Sequence, residues 1–240
     1  MTEEIKGVFA LLENRKETIM GMRTYYSGII NGIECVVVFS RWGKVAAATT
    51  VTSLITHFGV TEIIFTGVAG AISSELQIGD IVLGKRLMQH DMDSRPLIHQ
   101  YEVPLHKKIF FDSSGQLLKL TTDSINELRE EGKFRTKDFE KFHIENPKLF
   151  TGDIASGDQF FSRHEQKEKL HASLPSILCV EMEGAAVAQI CYEYHIPWIV
   201  IRTISDTSDE NSPSDFQAFI EKIASYYSTE IIKRLFSKFL

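Results

Sequence analysis

The stretch EIIFTGVAGAI, residues Glu62 to Ile72, is almost continuously apolar until its glycines. A strand with one wet face alternates apolar and polar residues, so an unbroken run of this kind predicts a strand covered on both faces. DIVLGKRLMQHD (Asp80 to Asp91) and WIVIRTISD (Trp198 to Asp206) are two further candidates.

Helical spacing fills the intervals. GKVAAATTVTSLITHFG (Gly43 to Gly59) carries alanines and apolar residues at helical spacing and stops at a glycine suited to a left-handed cap. Helices are also predicted over Leu117 to Arg129, Arg163 to Leu170 and Glu183 to Tyr194, with a last one beginning after Ser212. TYYSGIINGIECVVVFS (Thr24 to Ser40) reads as a hairpin turning at Asn31 and Gly32. Strands alternating with helices predict a layered α/β fold.

With 240 residues, 43% hydrophobic, and no Gly/Ser/Pro-rich linker, a single domain over 1–240 is expected, with a long polar excursion at about 91–150. That span reads either as a cover for a pocket or as a surface insertion. A formal charge of −6 without a clustered Lys/Arg excess argues against nucleic acid as a partner. No apolar run approaches the roughly 20 residues that span a bilayer, and MTEEIKGVF lacks the pattern of a signal peptide. A soluble cytoplasmic protein is expected, with no membrane partner. Cys35, Cys179 and Cys191 lie in apolar surroundings without CxxC spacing and read as buried thiols.

In open α/β sheets, ligands gather beyond the C-terminal ends of strands. TGVAGAI, SGDQFF (Ser156 to Phe161) and TISD (Thr203 to Asp206) all fall there. TGVAGAI is neither GxGxxG nor a phosphate loop, which disfavours a dehydrogenase or a P-loop NTPase. HDMD, His90 to Asp93, offers oxygen and nitrogen ligands to a divalent metal, but no second cluster accompanies it, so no metal is expected. In VEMEGAA, Glu181 and Glu183 converge only if the chain is extended there, because residues two apart lie about 200° apart on a helix. A purely structural alternative has one carboxylate pairing with Arg202 and the other capping the helix.

Taken in order, SRWGKVAAA, TGVAGAI, IGDIV, SGDQFF, VEMEGAAVAQIC and VIRTISD resemble the purine nucleoside phosphorylase superfamily and, within it, the 5′-methylthioadenosine/S-adenosylhomocysteine nucleosidases. The resemblance runs from Met1 to about Leu235. It implies a three-layer α/β/α sandwich around a twisted, partly closed mixed sheet, a homodimer, and hydrolysis of an adenine N-glycosidic bond with no cofactor. It also implies site roles. Asp206 matches the general acid that protonates adenine N7, with Ser205 holding its carboxyl group. Glu183 matches the ribose-binding carboxylate, Met182 the apolar sugar contact and Glu181 a supporting polar group. Phe160 matches the aromatic that stacks on adenine, the backbone of Phe161 the reader of the purine edge, and Ala69 and Gly70 the loop beside the nucleoside. Glu4 matches the water-activating glutamate and Arg202 an arginine near that water.

Several departures accompany the match. The family's apolar first strand, of the type IGIIGA, precedes the segment aligned with Met1, so the expected sheet lacks it. Trp42 stands where small or aliphatic residues are common, and Val68 replaces a serine. HDMDSRPLIHQYEVPL (His90 to Leu105) differs from the usual lining of the 5′-substituent site. Two alternatives follow: hydrolysis of aminodeoxyfutalosine or futalosine, and a catalytically impaired nucleoside-binding protein. A phosphorylase is disfavoured because no family-type phosphate loop stands near the start.

Overall fold

The computed structural model describes residues 2–134, 144, 146–210 and 212–239, without the side chains of 2–4, 213–215, 218, 221 and 222. Six strands form the central sheet: β4 (Ile63–Ala71), β5 (Ile81–Gln89), β6 (Phe111–Asp112), β7 (Leu149–Ser156), β8 (Ile177–Glu181) and β9 (Trp198–Asp206). Their order is β6-β5-β7-β8-β4-β9. An antiparallel pairing of β5 with β9, Ile81 to Leu83 against Thr203 to Ile201, curls the sheet back on itself. The parallel pairs β4–β9, β5–β7 and β7–β8 with the antiparallel β4–β8 make it mixed, as expected.

The doubly covered strands explain themselves residue by residue. Every residue of β9 is buried. Val200 packs with α2 (Lys44–Phe58) and α5 (Gly184–Glu193), whereas Ile199 and Ile201 pack with α3 (Gly115–Glu130) and α7 (Ser225–Phe236). Successive side chains of a strand point to opposite faces, so an all-apolar strand requires a helical layer on each. Each such aliphatic side chain contributes roughly 1.5–3 kcal/mol by leaving water.

The predicted α2 ends as read: Gly59 has φ 63°, its amide returns to the carbonyl of Ile55 and the Val60 amide to that of Leu54. The hairpin also forms, with β2 (Arg23–Ile30) and β3 (Ile33–Val38) pairing Ile30 with Ile33 around Asn31 at φ 49° and Gly32 at φ 80°. The last helix is more irregular than its periodicity predicts. It runs as α6 (Ser212–Phe219), a π-helical turn over Ile220–Ala224, and α7. The span expected as an excursion contains α3, whose Leu117, Ile125 and Leu128 are buried in the second helical layer. Ser114 caps it by accepting from the Leu117 amide. The remaining helices are α1 (Thr2–Leu11) and α4 (His164–Ser173), and β1 (Glu13–Met20) pairs with β2.

The three-stranded sheet β1-β2-β3 is separate from the central sheet. Among the described residues, β3 pairs only with β2, and β4 meets β8 only at Gly70 and Ala71. One edge of β3 and one edge of β4 over Ile63 to Ala69 are therefore unpaired, and both line a single cavity as a seam in its wall.

Candidate active site

The cavity measures about 1580 Å³ and extends from the seam to the C-terminal ends of β4, β8 and β9. It exceeds the roughly 300–1,000 Å³ of an ordinary small-molecule site because the seam is continuous with it. Ala69, Gly70, Phe160, Phe161, Glu181, Met182, Glu183, Arg202, Ser205 and Asp206, all singled out in the sequence, line it. Of the expected site, only the Glu4 side chain lies outside the described residues; its backbone belongs to α1, whose Ile5 and Val8 line the same cavity.

Asp206 closes β9 and is buried. The Ser205 hydroxyl donates to its Oδ2 at 2.8 Å and the Ser208 amide to its Oδ1 at 2.9 Å. The β4–β9 register slips between Ala69 and Gly70, which brings Gly70 opposite Asp206. Such bulges re-aim side chains at sheet ends. Gly70 also makes room for the acid: a Cβ there would stand 2.2 Å from Ser208 Oγ and 2.8 Å from Asp206 Oδ1.

The two glutamates have different surroundings. The chain is extended to Glu181 and turns helical only after Glu183, the N-cap of α5. Glu181 is buried and fully engaged. It accepts from the Ser156 hydroxyl, the Glu183 amide at 3.1 Å, the Gly184 amide at 2.8 and 2.9 Å, and Arg202 Nη2 at 2.7 Å. One residue thus performs both duties that the structural alternative divided between two: it pairs with Arg202 and caps α5.

Arg202 is itself 1% exposed, donates to the carbonyls of Phe65 and Ile201, and lies over the Phe65 ring at 4.3 Å. Its guanidinium is held at Glu181.

Glu183 makes no side-chain cap to its own helix. Its Oε1 accepts the Gly43 amide at 2.7 Å, at the start of α2. Burial, reinforced by the neighbouring Glu181 charge, pushes its carboxyl up to about 7, against the pull of the Gly43 amide and Arg202. Of the two glutamates on the cavity wall, Glu183 is therefore the one whose charge is less compensated.

Phe160 and Phe161 follow β7 on the loop after Ser156. Phe161 is buried and meets the His90 ring edge-on at 5.3 Å, while Phe160 is 41% exposed and meets Phe216 at 5.6 Å. Trp42 meets Phe216 edge-on at 6.5 Å, so three aromatics stand together on the cavity wall. HDMD is already occupied by cations: Asp91 pairs with Lys44 at 2.6 Å and Asp93 with Arg95.

Sequence reasoning missed the roles of four residues. Ser156 and Gly43 opened or sat within recognised motifs, and their bonds to Glu181 and Glu183 are long-range contacts that no motif announces. Ser208 and Phe216 carried no signal.

No helix among the described residues is long and apolar enough to cross a membrane. Residues 2–237 match the family described as the phosphorylase superfamily. An aminodeoxyfutalosine nucleosidase of Helicobacter pylori strain J99 is 35% identical over 98% of this chain and 94% of that protein. A 5′-methylthioadenosine/S-adenosylhomocysteine nucleosidase of Staphylococcus aureus strain JH9 is 30% identical over 99% of this chain and 96% of that protein. A solved nucleosidase of the latter kind from Colwellia psychrerythraea 34H, in complex with adenine, superposes with a TM-score of 0.86 at 31% identity, covering 98% of this chain and 91% of its own.

Proposed function

Because the chain belongs to the phosphorylase superfamily, we propose that it hydrolyses the N-glycosidic bond of 5′-substituted adenosines, methylthioadenosine and S-adenosylhomocysteine among them, and releases adenine. The observation that carries this reading is the pair of unlike carboxylates on one cavity: Asp206, held by two donors, and Glu183, held by one and kept at a raised pKa. Glycoside chemistry needs such separated roles, one group to protonate the leaving atom and another to answer charge on the sugar.

Asp206, oriented by Ser205 and the Ser208 amide, delivers a proton to adenine N7 as the base departs. Phe160 stacks on the purine, and the backbone of Phe161 reads its edge. Glu183 has one oxygen fixed by Gly43, which leaves the other for the ribose hydroxyls and for the developing oxocarbenium charge; Met182 packs on the sugar. Glu181 and Arg202 hold this turn in place, and Ala69 and Gly70 border the nucleoside. Glu4 activates the attacking water. The reaction requires no cofactor or metal. The molecule works as one nucleosidase domain, as a homodimer in the cytoplasm, and serves methionine salvage.

Aminodeoxyfutalosine is the second reading, supported by the relative of that name at 35% identity. Adenine release measured across a panel of 5′-substituted adenosines decides between them: faster cleavage of aminodeoxyfutalosine than of methylthioadenosine replaces the first reading. Phosphate-dependent formation of ribose 1-phosphate would overturn hydrolysis, and adenine binding without release from any nucleoside would leave a binding protein. Asp206→Asn is expected to slow cleavage by at least roughly two orders of magnitude, and near-normal turnover removes Asp206 from its role. Glu4→Gln is expected to bind nucleoside without hydrolysing it.

A further inference from the structure

Three segments that carry the site meet in a ring of hydrogen bonds outside it. Lys44, the first residue of α2, donates its amide to Asp158 Oδ1 at 2.8 Å. Asp158 donates its own amide to Asp91 Oδ2 at 3.0 Å. Asp91 Oδ1 accepts from Lys44 Nζ at 2.6 Å, and the same ammonium donates to Gln89 at 3.0 Å. The ring joins the start of α2, the exit of β5 and the loop after β7.

Its position gives it leverage. Gly43 donates to Glu183, and the next amide, that of Lys44, donates to Asp158. Asp158 lies two residues before Phe160 in the same loop. Two successive backbone amides, joined at the Cα of Gly43, thus link the carboxylate assigned to the sugar with the loop assigned to the base. Gly43 permits this approach: its φ is 88°, and a Cβ there would stand 3.0 Å from Asp158 Oδ1. Behind the loop, the His90 ring leaves no room at Gly157, where a Cβ would fall 2.2 Å from Nε2.

We infer that Lys44 and Asp91 are positioning residues: they fix the base-stacking loop relative to Glu183 and so set the spacing at which a nucleoside is gripped by both base and ribose. The inference rests on the site assigned above. Neither side chain belongs to the cavity wall, so each acts through Asp158 and the Gly43–Lys44 peptide. The Lys44 and Asp91 side chains are 17% and 22% exposed, which shields the ion pair from solvent better than a surface pair.

The test is steady-state kinetics with methylthioadenosine, adenine affinity by calorimetry, and thermal melting, on Asp91→Asn, Lys44→Met, Lys44→Arg and the double variant Asp91→Asn/Lys44→Met. Loosening a pre-set grip weakens binding more than chemistry. KM and the adenine Kd are expected to rise about tenfold with kcat within about threefold, the loss appropriate to one charge-assisted bond. Lys44→Arg should recover part of the affinity, and the double variant should be no worse than its worse component, because both remove the same bond. If Lys44→Met does not fold, Asp91→Asn, which preserves shape, carries the test. Unchanged KM and adenine Kd beside a lowered melting temperature overturn the inference, since the ring then only supports folding. Normal turnover in Asp206→Asn defeats the site assignment itself. An inactive Asp206→Asn beside wild-type binding in Asp91→Asn defeats the clamp alone.

Discussion

The β8–α5 junction and the β3–β4 seam are opposite solutions on the wall of one cavity. At the junction, Glu181 collects a hydroxyl, two amides and a guanidinium within a few ångströms, all away from bulk water. At the seam, two strand edges face the cavity with no ladder between them. The difference separates rigidity from access: a saturated polar node fixes geometry at a high cost if any member is lost, whereas an unpaired edge tolerates substitution and opens readily.

The largest expected effect lies at the junction. Glu181→Ala leaves Arg202 charged, buried and without its carboxylate, and should cost about 3–5 kcal/mol of stability, read as a shift of the denaturant midpoint. A loss below about 1 kcal/mol would mean that water reaches the node and that the contrast with the seam is false.

The second test separates the two glutamates by pH. Burial and the neighbouring Glu181 charge push the Glu183 carboxyl from its ordinary value of 4.5 up to about 7. Between those values the native state keeps a proton that the unfolded chain has released, so Glu183 makes stability fall as pH rises through this window. In the proposed mechanism the ionised form holds the ribose, so kcat/KM should rise over the same range, about tenfold per pH unit below the pKa. Glu183→Gln should abolish this limb, and a profile that keeps it assigns the titration elsewhere.

The smallest effect belongs to the seam. Alternate amides of Ile33 to Val38 and of Ile63 to Ala69 should exchange with deuterium much faster than those of β9, while Val37→Thr should change stability by less than about 1 kcal/mol. Equal protection of the seam and β9 would show the edges to be covered in solution.

The strands buried on both faces were legible because their apolar runs leave no polar face, and α2 because Gly59 marks its end. Other elements were hidden for physical reasons. β7 contains Gly152 and the buried Asp153, which looks like a loop residue until Arg86 and Ser176 are seen to neutralise and bond it. β1, ENRKETIM, is exposed along most of its length and shows no hydrophobic period. The π-helical turn over Ile220–Ala224 preserves an apolar pattern that an α-helix would also give. At the site, the residues with side chains on the cavity wall could be named from ordered motifs. The amides of Gly43 and Ser208 could not be assigned their partners, because nothing in the neighbouring sequence announces a bond to Glu183 or Asp206.

The start of α2 bears on the choice of nucleophile. A helix N-terminus attracts anions, yet here its first two amides already face Glu183 and Asp158. Inorganic phosphate seeking those donors would have to displace a carboxylate and endure repulsion from its neighbour. Water carries no charge and meets no such rivalry, so this helix end tilts the pocket from phosphorolysis toward hydrolysis, and turnover should be indifferent to added phosphate.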